Sequence, residues 1–269
     1  MNTFKKTTLA LAISALAGGA MAQSAPAPAP EPEKSPITAN VTVVNDYRYR
    51  GLTQSNFKPA IQGGFDYAHE SGFYIGNWNS SISWITDAGA ATSAPIEMDF
   101  YGGFKKELIA PGFASDIGVL QYYYPTSQFT GNTNPNTTEI YAAQNFTFGP
   151  VTGFLKLSYA VTTIFGFQNS TGSYYPDLTV NYDTGVWGLA LNGHVGYQYI
   201  AGSVSGVSNN SLYTYTDWKA GITKDFGGGL SGSIAYVGTN AKNAGYTQTF
   251  ANGKNVGKSG GLISLTKTF

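Results

Sequence analysis

The sequence predicts an all-β fold: a transmembrane up-and-down antiparallel β-barrel of about 12 strands, with ten or fourteen as alternatives. Three observations carry this. Apolar and polar residues alternate with period two along most of the chain. The links between the alternating segments are short and long by turns. The composition pairs few charges (11%) with many aromatics (14%) and 34 glycines. Charged residues stand at less than half the ~25% usual for soluble domains. Hydrophobic residues reach only 42% and mean hydropathy is −0.13, too polar for helices that cross a membrane. Strands with one face in lipid and one in water fit both facts.

From Ile37 to Thr53 the odd positions read Ile37, Ala39, Val41, Val43, Asn45, Tyr47, Tyr49 and Gly51. The even positions read Thr38, Asn40, Thr42, Val44, Asp46, Arg48 and Arg50. Successive strand side chains point to opposite faces, so this is an amphipathic strand. The pattern recurs at 60–68, 95–106, 151–160, 186–199 and 259–269, and more weakly at 73–84, 113–124, 137–147, 175–183, 214–224 and 230–239. The short links are His69–Gly72, Glu107–Gly112, Phe148–Pro150, Thr184–Gly185 and Asp225–Gly229. The intervening links, such as 125–136 and 240–258, are longer and rich in Asn, Ser, Thr and Gly. Short periplasmic turns alternating with longer outer loops characterise barrels in membranes. Lipid offers no hydrogen bonds to a sheet edge, so the sheet must close. One domain, 37–269, follows.

Two segments precede it. Lys5 and Lys6, the apolar stretch Thr7–Ala17 and Ala20-Met21-Ala22 read as a signal peptide, 1–22, cleaved after Ala22. Residues 23–36 form a Pro/Ala-rich periplasmic leader that favours extended polyproline II. Its plain reading is a flexible leader; a tether to a periplasmic component is the sharper one. Export to the bacterial outer membrane is the expected localisation. Removing Lys5 and Lys6 leaves 13 basic against 15 acidic residues, a balance that argues against nucleic acid as a partner. There is no cysteine, hence no disulfide and no thiolate metal site.

The chain ends Leu-Thr-Lys-Thr-Phe. A terminal Phe269 on an outward face, with Ile263 and Leu265 in phase, resembles the signal by which the barrel-assembly machinery recognises its clients; Lys267 departs from it. Residues 44–78 carry a wider resemblance, in Asp46-Tyr47, Arg50-Gly51, Thr53-Gln54, the run Lys58-Pro59-Ala60-Ile61-Gln62-Gly63 and Ser71-Gly72, with weaker echoes at Tyr122-Tyr123-Tyr124-Pro125 and Glu139-Ile140-Tyr141. On these the chain resembles the TorF-type porin family of proteobacteria. The resemblance implies an outer-membrane barrel and no established substrate or site. Family members place one arginine before the glycine; Arg50 holds that place and Arg48 is extra.

Chemistry other than passage finds little support. His69 falls at a predicted turn and His194 mid-strand facing inward. A barrel enzyme acting on lipid would need its Ser-His pair on the lipid-facing side. No enzyme, metal site or cofactor is therefore expected. The candidate site is the lumen. Parity assigns Asp46, Arg48, Arg50, Asp66, Glu97, Asp99 and Glu139 as pore-lining, with Lys105, Asp116, Lys156, Asp177 and Lys219 also inward. Arg48 and Arg50 are the chain's two arginines; strand direction places them, with Glu97, Asp99 and Glu139, near the outer end. Arginines facing carboxylates across a pore would favour small polar or zwitterionic solutes. The same residues could instead pair wall to wall. The expected function is passive diffusion of small hydrophilic solutes; the alternative is a closed structural or ligand/partner-binding barrel. Tyr47, Tyr49, Tyr67, Tyr197 and Tyr199 are expected outward in aromatic girdles among outer-membrane lipid. Trp78 and Trp84, on the third strand, are inward candidates for solute contact, with that strand's parity left open.

Overall fold

The computed structural model describes residues 35–88, 94–125, 133–248 and 253–269; the signal peptide and nearly all of the leader lie outside them. Twelve antiparallel strands form one closed barrel. In chain order they are β1 (Ile37–Val44), β2 (Ala60–Ala68), β3 (Phe73–Ser81), β4 (Ile96–Ala110), β5 (Phe113–Tyr123), β6 (Thr137–Phe148), β7 (Val151–Ala160), β8 (Tyr174–Asp183), β9 (Leu189–Gln198), β10 (Tyr215–Gly227), β11 (Leu230–Thr239) and β12 (Gly260–Thr268). Each pairs with its sequence neighbours, and β1 closes on β12 with Asn40 opposite Thr268 and Val44 opposite Ser264. No edge is left, as lipid requires. The turns 69–72, 111–112, 149–150, 184–188 and 228–229 gather at one end, where the chain also enters and leaves; the longer loops gather at the other.

The outer wall is apolar. Ile61, Ile75, Ile117, Leu155, Leu157, Leu178, Leu191, Val195, Ile234 and Ile263 are all exposed. Tyr123, Tyr159, Tyr197, Trp218 and Tyr236 ring the loop end, and Tyr67, Phe73, Phe148, Tyr182 and Phe226 the turn end. An apolar belt this extensive between aromatic rings is a surface made for lipid. Tyr67 and Tyr197 are exposed on this outer wall, and the half-buried Tyr199 stacks on Tyr174 at 4.8 Å. Phe269 is exposed beside Ala39, with Lys267 Nζ 5.5 Å from its ring centroid.

The chain departs from the sequence reading at Asn45. A continuous strand from 37 to 53 would rise roughly 55 Å, against a hydrocarbon core of about 30 Å. Instead β1 stops at Val44. The Asn45 side chain then stands in for a strand residue, donating to the Gly261 carbonyl at 3.1 Å and accepting from the Ile263 N–H at 2.7 Å. Beyond it the chain turns into the barrel and forms a small hairpin, Arg48–Tyr49 against Leu52–Thr53. Tyr47 and Tyr49 are therefore not in a lipid-facing girdle: Tyr47 is 2% exposed inside the lumen. Two further boundaries shift. Trp84 lies in a helical turn, Trp84–Asp87, rather than on β3. Trp187 sits in the turn before β9, 81% exposed.

The lumen is filled by a repeated device. Inward-facing Gly76, Gly103, Gly118 and Gly196 leave slots into which Tyr101, Tyr74, Tyr141 and Tyr175 lie; a Cβ at any of them would strike the ring or hydroxyl of its tyrosine. Gly196→Ala is expected to cost about 1–3 kcal/mol, as overpacking does, read from the urea midpoint of refolding into micelles.

Candidate functional site in the outer lumen

The hairpin tip is the centre of the site. Its two-residue turn, Arg50-Gly51, has φ of 45° and 77°, the left-handed pair that a tight hairpin needs. Gly51 approaches Asp217 and Thr239 so closely that a Cβ would collide with both. Arg50 holds an unusual conformation for a non-glycine residue, and its guanidinium is fixed on every side. It donates to both Glu139 carboxylate oxygens at 2.9 and 2.7 Å and to Gln198 Oε1 at 2.6 Å. It lies over the Tyr175 ring at 4.2 Å and the Tyr49 ring at 4.9 Å. Burial opposes its charge, but Glu139 facing it prevails and holds its pKa above the ordinary arginine value. The hairpin is thus pinned to β6, β8 and β9 at once.

Arg48 turns to the opposite side. Its Nε meets Asp46 Oδ2 at 2.5 Å, and Nη1 donates to the Gly51 and Lys258 carbonyls, each at 2.9 Å. Asp46 also accepts from Thr53. Glu97, 2% exposed, accepts from Tyr47 at 2.5 Å and Tyr124 at 2.7 Å. Burial, then the Glu97 and Asp99 charges, raise the Tyr47 pKa, so its hydroxyl remains a donor. Tyr49 bonds Tyr122 hydroxyl to hydroxyl.

Of the seven predicted residues, the structure gathers Arg50, Glu97, Asp99 and Glu139 around the hairpin, with the Asp46–Arg48 pair on its far side. All six are buried. The two arginines reach the lumen from this hairpin and not, as parity implied, from the wall of β1. Asp66 is apart, in the turn-side half of β2, accepting from Tyr101 at 2.5 Å. Sequence reading missed Tyr122, Tyr124, Tyr175, Gln198 and Asp217. Their even or odd positions in or just beyond β5 and in β8, β9 and β10 agree with an inward face, but register is needed to see what they meet. Deeper, His194 lies between Asp177 (2.9 Å) and Asp217 (2.7 Å). Carboxylates face both ring nitrogens, which leaves neither free to activate a serine.

A closed barrel with an apolar belt, two aromatic rims and a polar, ion-paired interior defines a membrane-spanning β-barrel. The fold is similar to that of the NanC porin (TM-score 0.54, 9% identity, covering 86% of this chain and 98% of that one). It is also similar to the KdgM porin (0.52, 6%, 87% and 98%) and to an outer-membrane channel from Pseudomonas putida F1 (0.52, 14%, 89% and 97%). The chain belongs to a bacterial family of unknown function, Gcw_chp, whose model matches residues 30–269. Among curated proteins, none matches the sequence.

Proposed function

We propose that the protein is a passive outer-membrane channel for small hydrophilic solutes, a TorF-type porin delivered by its signal peptide and inserted by the barrel-assembly machinery through Phe269. One observation carries this reading: a barrel apolar outside whose lumen holds Asp46, Arg48, Arg50, Asp66, Glu97, Asp99 and Glu139. The inward hairpin forms the constriction. Each arginine there is already neutralised, Arg48 by Asp46 and Arg50 by Glu139. Among the described residues Glu97 and Asp99 have no basic partner, so the field they set at the constriction is negative. Charged groups lining a pore set the barrier for ions of each sign. Folded protein in a planar bilayer should therefore conduct, with a reversal potential in a KCl gradient that favours potassium. Glu97→Gln with Asp99→Asn should move that potential toward zero. Absence of conductance from folded protein overturns the reading.

A second reading, a closed barrel that binds a ligand or partner, draws on the loop end. Ile82, Ile85, Ile164, Ile200, Tyr246 and Val256, from four different loops, are all buried. Liposome swelling separates the two: a plugged barrel admits no sugar.

A further inference from the structure

Asp99 differs from every other carboxylate around the hairpin. It is 5% exposed, points into the lumen from β4, and its Oδ1 has no hydrogen-bond partner. Glu97 and Glu139 lie within electrostatic range of it, yet their own oxygens are engaged, by Tyr47 and Tyr124 in one case and Arg50 in the other. A buried carboxylate is retained at a cost unless something pairs with it. We propose that Asp99 is the centre of a subsite for the primary ammonium group of a solute, and that the outer lumen selects small amines.

The surroundings favour that group over other cations. In register, Asp99 stands between Trp78 on β3 and Tyr122 on β5, both on the inward face. Aromatic rings attract a cation placed over them, tryptophan most strongly. A primary ammonium also brings N–H donors, which the unpaired Oδ1 needs and a quaternary ammonium lacks. A divalent metal would need several oxygen ligands; among the described residues no group of three or more His, Cys, Asp or Glu is placed to hold a metal. Glu97 and Glu139 cannot turn toward the solute without releasing Tyr47, Tyr124 or Arg50, so they contribute field and Asp99 contributes the contact.

The proposal rests on the channel reading for passage, but binding is measurable without it. The refolded full chain in detergent micelles is titrated with propylammonium chloride at constant ionic strength, by calorimetry and by tryptophan fluorescence. 1-Propanol and tetramethylammonium chloride are the controls. Saturable heat is expected for propylammonium only, lost in Asp99→Asn and kept in Asp66→Asn. Trp78→Phe should remove the fluorescence change. Heat-modifiable gel mobility establishes that each variant is folded. No saturable heat from folded wild-type protein, or equal heat from Asp99→Asn, overturns the subsite. Binding without bilayer conductance removes the channel reading alone; conductance without binding removes the subsite alone.

Discussion

Replacing Arg50 by alanine is expected to destabilise the folded barrel by about 3–5 kcal/mol, the range for breaking a buried ion pair from one side. The cost arises from what stays behind. Glu139 is 0% exposed, and both of its oxygens face Arg50. Without the guanidinium it becomes a buried charge whose remaining hydrogen bond among the described residues is the 3.3 Å contact from Tyr122. Gln198 and the Tyr175 face lose their partner in the same step. The left-handed backbone at Arg50 would persist with less to hold it, so the hairpin should loosen from the wall. Removing both charges, Arg50→Met with Glu139→Leu, should recover most of the loss, because a well-packed apolar replacement of a buried pair is often neutral or stabilising. Urea midpoints of refolding into micelles measure both. Equal destabilisation in the single and double variants would show that Arg50 acts through packing alone. In bilayers the same single variant should conduct more, since the hairpin tip is the part of the constriction it anchors.

The barrel was legible from the sequence because its strands obey a rule imposed by the solvent on either side. Lipid outside and polar groups inside fix the period, and the short turns fix the count; turns predicted at His69–Gly72 and Phe148–Pro150 fall where the chain reverses. Parity likewise put Glu97, Asp99 and Glu139 on the inward face, where the structure has them buried. It failed at Tyr47 and Tyr49, where alternation continues after the strand has ended. A two-residue hairpin has the same period as a wall strand, so periodicity cannot distinguish them. Length could have: the segment is too long for one crossing, and Arg50-Gly51 can supply the left-handed turn. The network around Arg50 was beyond reach for a different reason. Its partners, Glu139, Tyr175 and Gln198, lie on three strands, and only the register of a closed sheet brings them to one level. The glycine slots share this character, since each tyrosine sits over a glycine on another strand.

Leu178→Arg should cost about 2–4 kcal/mol when the protein is folded in lipid bilayers, the range for a cationic side chain at the bilayer midplane of a barrel. Leu178 is the suitable position because its depth is bracketed. It lies midway between Tyr174 and Tyr182 on β8, which belong to the two aromatic rims, and its register partners Leu155 and Val195 are themselves exposed and apolar. An arginine there cannot reach the lumen, because its neighbours Asp177 and Thr179 occupy the inward face. It must snorkel toward a rim or draw water into the core, and both are costly. Val186→Arg provides the matched control. Val186 is 52% exposed, a little more than Leu178 at 40%, but it sits in the turn 184–188, outside the belt. There the expected cost falls to roughly 0–1 kcal/mol, as for interfacial positions. Solvent exposure alone would predict similar effects for the two, whereas a membrane predicts a difference set by depth. Equal costs in vesicles would mean that the apolar outer wall does not face lipid.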